Sequence, residues 1–245
     1  MPIDLTSTLI VMPAFNEEAS VGNVIREALR ELPGIRILVV NDGSVDDTTR
    51  VARDAGALVA TLPYNLGVGG AMRCGFRFAL ANGFENVVQV DADGQHDPAE
   101  LPKLLAQLGT ADVVIGARFA GEGDYQARGP RRWAMTLLAK ILSRTAQTTL
   151  TDTTSGFRAS GPRAVRLFAE TYPAEYLGDT VESLVIAARA KLVIRQVAVS
   201  MRERSGGTPS HSPIKAAVFL ARVGIAMFFA YIRPKVQIPS GGAAA

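Results

Sequence analysis

Short apolar runs alternate along this chain with longer segments whose apolar positions recur at helical spacing. The first run, STLIVMPAF (Ser7 to Phe15), reads as a buried strand. Asn16 then stands where a helix cap belongs, with Glu17 and Glu18 following where a helix dipole favours acidic residues. IRILVVND is a second strand ending at Asp42. The helix after it carries Ser44 at the cap, Asp47 three residues on and Gly56 as the stop. ALVATLPY, VGGAMRCGFRFALANG and NVVQVDAD predict strand, helix and strand; PAELPKLLAQLG and ADVVIGAR predict one more of each. Asp97 caps the fourth helix and Pro98 fills its first position. This alternation predicts a parallel, doubly wound α/β sheet. Pro and Gly sit at element ends, without an internal repeat or a long linker.

In such a sheet ligands bind beyond the carboxyl ends of the strands. There the sequence places Asn16 and Glu17, Asn41 and Asp42, Tyr64 and Asn65, Asp91 and Asp93, and Arg118, one group after each predicted strand. Five polar strand ends on one edge suit an extended ligand with ionic parts.

Composition narrows the class. The chain has 245 residues, enough for one large domain or two small ones, and 48% of them are hydrophobic against 20% charged, so a sizeable core forms. A formal net charge of +3 is too small to argue for a nucleic-acid partner. The single cysteine, Cys74, excludes an intramolecular disulfide framework and fits a reducing compartment. The N-terminal stretch has no basic region and too short an apolar run for a secretory signal, so a protein facing the cytosol is expected.

Two chemistries compete for the strand-end residues. NLGVGGAM follows a strand and opens a helix, as a dinucleotide loop does, but Met72 stands where the third glycine belongs, and the loop follows the third strand. Gly69 and Gly70 let the helix start pack closely, and that start can still hold an anion. In DADGQHDP, Asp91 and Asp93 flank Ala92 at the end of a buried strand. Two close carboxylates repel unless something positive lies between them. A divalent Mg2+ or Mn2+ that arrives with a diphosphate answers that need, because both ions combine one or two carboxylates with phosphate oxygens and water. Gln95 would add an oxygen or a donor. His96, beside a cap, has no metal role in this reading.

PAFNEE, NDGSVDDT, YNLGVGGAMRCG, DADGQHDP, VIGARF and SGFRA occur in that order. Together they resemble the glycosyltransferase family 2 pattern, with a GT-A fold, in its dolichol-phosphate mannose synthase-like or polyprenyl-phosphate glycosyltransferase branch. RERSGGTPS (Arg202 to Ser210) is similar to that branch's Arg-x-x-Gly-x-Ser loop. The resemblance spans Leu9 to about Ser210. It implies that Pro13, Phe15 and Glu17 lie near the base and ribose, that Asp42 contacts the base, and that Asp91, Asp93 and Gln95 hold the metal and diphosphate. Asn65, Gly69 and Ala92 fall among the donor-binding residues. Arg118 would lie near the sugar phosphate and Arg202 would reach the leaving diphosphate from a loop, so Asp93, Arg118 and Arg202 carry the catalytic roles. The chain departs from the pattern at Phe15, where Tyr is common, at Asn41, where Asp is common, and at Ser210-His211, where the family has Ser-x-Lys.

The implied reaction moves a sugar from a nucleotide sugar of GDP-mannose, UDP-glucose or UDP-GlcNAc type to a polyprenyl phosphate, with inversion. A phosphate acceptor is mostly dianionic at neutral pH and needs little help from a base. A hydroxyl acceptor, the case of a soluble transferase acting on a glycan or small molecule, needs a carboxylate. Asp179 and Glu182 in EYLGDTVESL are the candidates, with a solvated first helical turn as the other reading of both. A nucleotide-sugar binding module without turnover is the reading from another class.

Two stretches bear on the acceptor. Residues 127–150 combine an apolar stripe at Trp133, Leu137, Leu138, Ile141 and Leu142 with Arg128, Arg131, Arg132, Lys140 and Arg144. Arg131 is the residue expected to meet the acceptor phosphate. A basic amphipathic helix suits a membrane surface; an ordinary core-packing helix with a solvated basic face is the alternative. Residues 215–235 are more apolar but interrupted by Arg222, and are read as lying in the interface or packing on a small membrane partner protein. The expected organisation is a catalytic domain over residues 1–212 and an amphipathic helix and tail over 213–245, peripheral at the cytosolic membrane face.

Overall fold

The computed structural model describes residues 4–118, 139–174 and 179–202. Seven strands form one sheet: β1 (Thr8–Ala14), β2 (Arg36–Asn41), β3 (Leu58–Thr61), β4 (Asn86–Gln89), β5 (Val113–Ala117), β6 (Arg158–Ser160) and β7 (Ile194–Ala198), in the order β3-β2-β1-β4-β6-β5-β7. All seven residues of β1 and all five of β5 are buried, because helices cover both faces. That is why these strands read as continuous apolar runs rather than alternating ones.

The helices are α1 (Val21–Glu31), α2 (Thr48–Asp54), α3 (Gly67–Ala81), α4 (Leu101–Gln107), α5 (Pro162–Thr171) and α6 (Asp179–Arg189), and residues 139–146 are also helical. Strand residues alternate between two cores. Leu9, Val11, Leu38, Val40, Val113 and Ile115 face α3, α5 and α6. Ile10, Met12, Ile37, Val39, Val88 and Val114 face α1 and α4. Leu142 is fully buried in the first core, so this part of the basic helix packs on the domain, while Ile141 is partly exposed.

All neighbouring strands are parallel except β6, which runs antiparallel to both β4 and β5. The reversal matters for the site. Arg158 pairs with Gln89 and Ile115, so the residues entering β6 lie on the same edge as the residues leaving β4. The loop Ser155–Phe157 thereby comes alongside Asp91. β1 has β2 on one side and β4 on the other, so the chain reverses direction across the sheet beside β1, where α/β sheets open their ligand crevice.

Two expected caps are placed differently. α1 begins at Val21, four residues beyond the expected start, and Asn16 has a left-handed φ of +55°. α2 begins at Thr48 with Asp47 at its cap position, not Ser44. In both cases the polar side chain has found a partner across the crevice instead of in its own helix. Asp97 caps the single 3-10 turn Pro98–Glu100 that leads into α4, not α4 itself, accepting from Ala99 N at 3.0 Å, and Gly56 follows α2 at φ +96°.

Candidate active site

The loops after β1 and β2 are laced together. Asn16 N–H donates to Ser44 Oγ at 2.9 Å, and Val45 N–H donates back to Asn16 Oδ1 at 3.0 Å. Glu17 N–H donates to Thr48 Oγ1 and Asp47 N–H to Glu18 Oε2, each at 2.9 Å. The lacing leaves Phe15 and Tyr64 exposed at the crevice edge, where aromatic faces are open to a ligand. Pro13 is buried within β1 beside Val40. The carboxylate of Glu17 accepts from Ser20 Oγ at 2.6 Å.

Asp42 is almost wholly buried. Its two oxygens accept from Leu66 N at 2.7 Å and Gly67 N at 2.8 Å, holding the start of α3. Asn65, exposed, accepts from the same Gly67 N–H through Oδ1 at 3.0 Å. A side chain at Gly43 would strike the Tyr64–Asn65 backbone at 2.8 Å, so the second and third loops touch through glycine. A Cβ at Gly69 would run into the Pro173 carbonyl oxygen and lie 3.1 Å from Asp179 Cβ, which places the start of α3 against the start of α6.

The acidic loop leaves β4 with Asp91 35% exposed, Ala92 buried and Asp93 and Gln95 partly exposed. Gln89 Nε2 donates to Asp91 Oδ1 at 3.2 Å, and Asp93 Oδ1 accepts from Gln95 N at 3.0 Å. Opposite them is Gly156. A Cβ there would sit 2.9 Å from Gln89 Nε2 and 3.5 and 3.7 Å from the Asp91 carboxylate oxygens, so only glycine keeps this flank open. Among the described residues no group of three or more acidic, His or Cys side chains forms a metal cage. Hard oxygen donors with room for further ligands fit an ion that brings phosphate oxygens and water with it.

Arg118 leaves β5 on the same edge. Its Nε donates to Asp152 Oδ2 at 3.0 Å, its backbone N–H to the same oxygen at 3.3 Å, and its Nη2 to Thr154 Oγ1 at 3.4 Å. Asp152 is buried, which opposes ionisation, but the hydrogen bond and charge of Arg118 prevail and hold its carboxyl below the usual range. Arg202 follows β7 and is engaged by carboxylates. Its guanidinium bonds Glu27 Oε2 at 2.6 Å and Asp97 Oδ1 at 2.9 Å, and its backbone N–H donates to Gln95 O at 3.0 Å. Arg131 lies outside the described residues, as does the loop after Arg202.

The solvated-turn reading of Asp179 and Glu182 is overturned: they are 7% and 5% exposed. Asp179 Oδ2 is buried without a hydrogen-bond partner among the described residues. Burial first, and the charge of Asp91, push its carboxyl up to about 6 against the pull of Arg158. Arg158 itself is fully enclosed, donating to Ser155 O at 2.8 Å, Thr180 O at 2.8 Å, Thr153 O at 3.0 Å and Ser183 Oγ at 3.0 Å. It pins the loop beside Asp91 to the first turn of α6. Sequence reasoning gave no role to Gln89, Asp152 or Arg158. Asp152 and Arg158 show themselves only through partners distant in sequence, Arg118 for one and Thr180 and Ser183 for the other, which no local spacing displays; Gln89 lies two residues before Asp91, inside the strand, where its polar side chain was the available signal.

A mostly parallel sheet, a crevice at the strand reversal and an open Asp-Ala-Asp loop are the architecture of a GT-A glycosyltransferase. The model of Glycosyl transferase family 2 matches residues 9–168, and the chain belongs to that family. It is 31% identical over 243 residues to undecaprenyl-phosphate mannosyltransferase of Micrococcus luteus, covering 94% of this chain and 99% of the relative. It is 32% identical over 167 residues to polyprenol monophosphomannose synthase of Mycolicibacterium smegmatis, covering 62% of this chain and 60% of that one. These relatives place it in the polyprenyl-phosphate branch. Glucosyl-3-phosphoglycerate synthase from Mycobacterium tuberculosis, solved with Mn2+, UDP and glucosyl-3-phosphoglycerate, superposes with a TM-score of 0.70 at 23% identity over 93% of this chain and 80% of that one.

Proposed function

We propose that this glycosyltransferase moves a sugar from a nucleotide diphosphosugar to a polyprenyl phosphate, inverting the anomeric centre, with Mg2+ or Mn2+ on Asp91 and Asp93. The observation that carries the proposal is the Asp91 carboxylate held at the end of β4 beside Gly156, with that flank open. The two relatives named for polyprenyl phosphate and polyprenol monophosphomannose chemistry support the acceptor. Asp91, Asp93 and Gln95 would hold the ion, and Asp42, Asn65 and Gly69 shape the donor cleft between the second and third loops. A bound cation would neutralise charge that builds on the leaving nucleoside diphosphate. Arg118, oriented by Asp152, adds a fixed positive charge on the same edge. Arg202 would join it only after release from Glu27 and Asp97.

A lipid monophosphate attacks as an anion, without a protein base. The basic segment around Arg131 and the apolar positions of residues 216–232 are the proposed docking elements for the cytosolic membrane face or a small membrane partner, with residues 1–212 as the catalytic domain and 213–245 as an amphipathic helix and tail. Among the described residues no helix is long and apolar enough to cross a membrane.

Asp179 favours a second reading. A buried carboxyl at about 6 is suited to take a proton from a sugar hydroxyl near neutral pH. That would make the acceptor a glycan or small molecule.

The metal site is tested by chelation and by Asp93→Asn. Either should lower transfer about a hundredfold to a thousandfold and weaken nucleotide binding. Full activity of Asp93→Asn in chelator contradicts the assignment.

A further inference from the structure

His96 is a titratable side chain that the reaction does not use. It is 4% exposed, and its ring lies flat on Phe157, with centroids 4.8 Å apart and planes at 14°. Its backbone is bridged to Met201, so the ring cannot drift along the loop. Asp91 N–H donates to His96 Nδ1 at 2.9 Å. A nitrogen that accepts carries no proton, so the proton of the ring is on Nε2. Nε2 lies 3.5 Å from Asp91 Oδ2. One ring thus fixes the backbone of Asp91 on one side and presents a donor to its carboxylate on the other.

Gln89 attends the second oxygen, Oδ1, at 3.2 Å. Each carboxylate oxygen of Asp91 therefore has its own donor facing it. At 3.5 Å the Nε2 contact is a directing field rather than a full hydrogen bond. Carboxylates that ligate metals are themselves held by such outer partners, and loss of the partner costs metal affinity. A residue needed only for packing would not require two nitrogens aimed at one aspartate.

We propose that His96 is a positioning residue for Asp91, setting the orientation in which that carboxylate receives a divalent cation. This rests on the reading of Asp91 as a metal ligand. Two variants separate packing from positioning. His96→Phe keeps a ring on Phe157 and removes both nitrogens. His96→Asn places an amide oxygen near the position of Nδ1. Mn2+ affinity is read by electron paramagnetic resonance with nucleoside diphosphate present, alongside thermal melting and nucleotide affinity without metal. His96→Phe should bind Mn2+ about tenfold to a hundredfold more weakly, with metal-free nucleotide affinity unchanged, and His96→Asn should recover part of the loss. Wild-type Mn2+ affinity in a folded His96→Phe overturns the role of His96 while leaving the metal site standing. Absence of Mn2+ binding by the wild-type protein overturns the metal reading and this role with it. If His96→Phe does not fold, 15N NMR of His96 decides: a protonated Nε2 and bare Nδ1 are expected, and the opposite tautomer overturns the proposal.

Discussion

Asp179 shows how one residue carries a pH dependence. Its carboxyl stands at about 6 in the folded protein, against about 3.9 for an ordinary aspartate. Because the folded value is the higher, the folded state keeps a proton that the unfolded chain has already released. Its contribution is fully present below about pH 4 and is lost as pH rises through about 6. Two pH units correspond to about 3 kcal/mol, the order of the cost of the buried charge at pH 8. Asp179→Asn should therefore raise the melting temperature at pH 8 and leave it nearly unchanged at pH 4. An equal shift at both values contradicts the burial argument. The sequence left Asp179 open between a base and a solvated turn, because an acidic residue at a helix start reads the same either way. Only the packing of α6 against Gly69 and Pro173 decides for burial. The placement of Asp91 and Asp93 was legible because their position after a buried strand and their spacing are local features.

At the scale of elements, the strand–helix alternation was readable through β5, where runs are long enough to show a period. β6 has three residues and shows none, and no local pattern marks it as antiparallel. Yet β6 brings Gly156 against Asp91. Gly156→Ala should push on Gln89 Nε2, loosen its hold on Asp91 and weaken Mn2+ binding by roughly tenfold, with the fold kept. Unchanged metal titrations in that variant would show that the close approach is incidental. The misplaced caps have a related cause. Asn16 and Ser44 carry cap chemistry, but each bonds a loop that lies far away in sequence. The fold was legible from period and punctuation; the lacing of the crevice was not, because it is made between loops.

At the scale of the molecule, the candidate catalytic edge shares one chain with basic and apolar segments that would meet a membrane. Each basic residue near an anionic surface contributes on the order of 1 kcal/mol, and salt screens it. The protein should bind anionic liposomes, and bind them less in high salt. Charge reversal at Arg131 and Arg132 should reduce transfer to lipid while donor hydrolysis continues. Indifference to liposomes at low salt would remove the membrane from the account.

The most direct measurement offers both acceptors at once. Labelled nucleotide sugar, Mn2+, polyprenyl phosphate and an excess of soluble sugar acceptor are incubated with the protein, and the label is partitioned between organic and aqueous phases. Chelator-sensitive label in the organic phase, as a glycosyl phosphate lipid, is the expected result. Label carried only by the soluble hydroxyl acceptor contradicts the account and makes Asp179 the base of a different transferase.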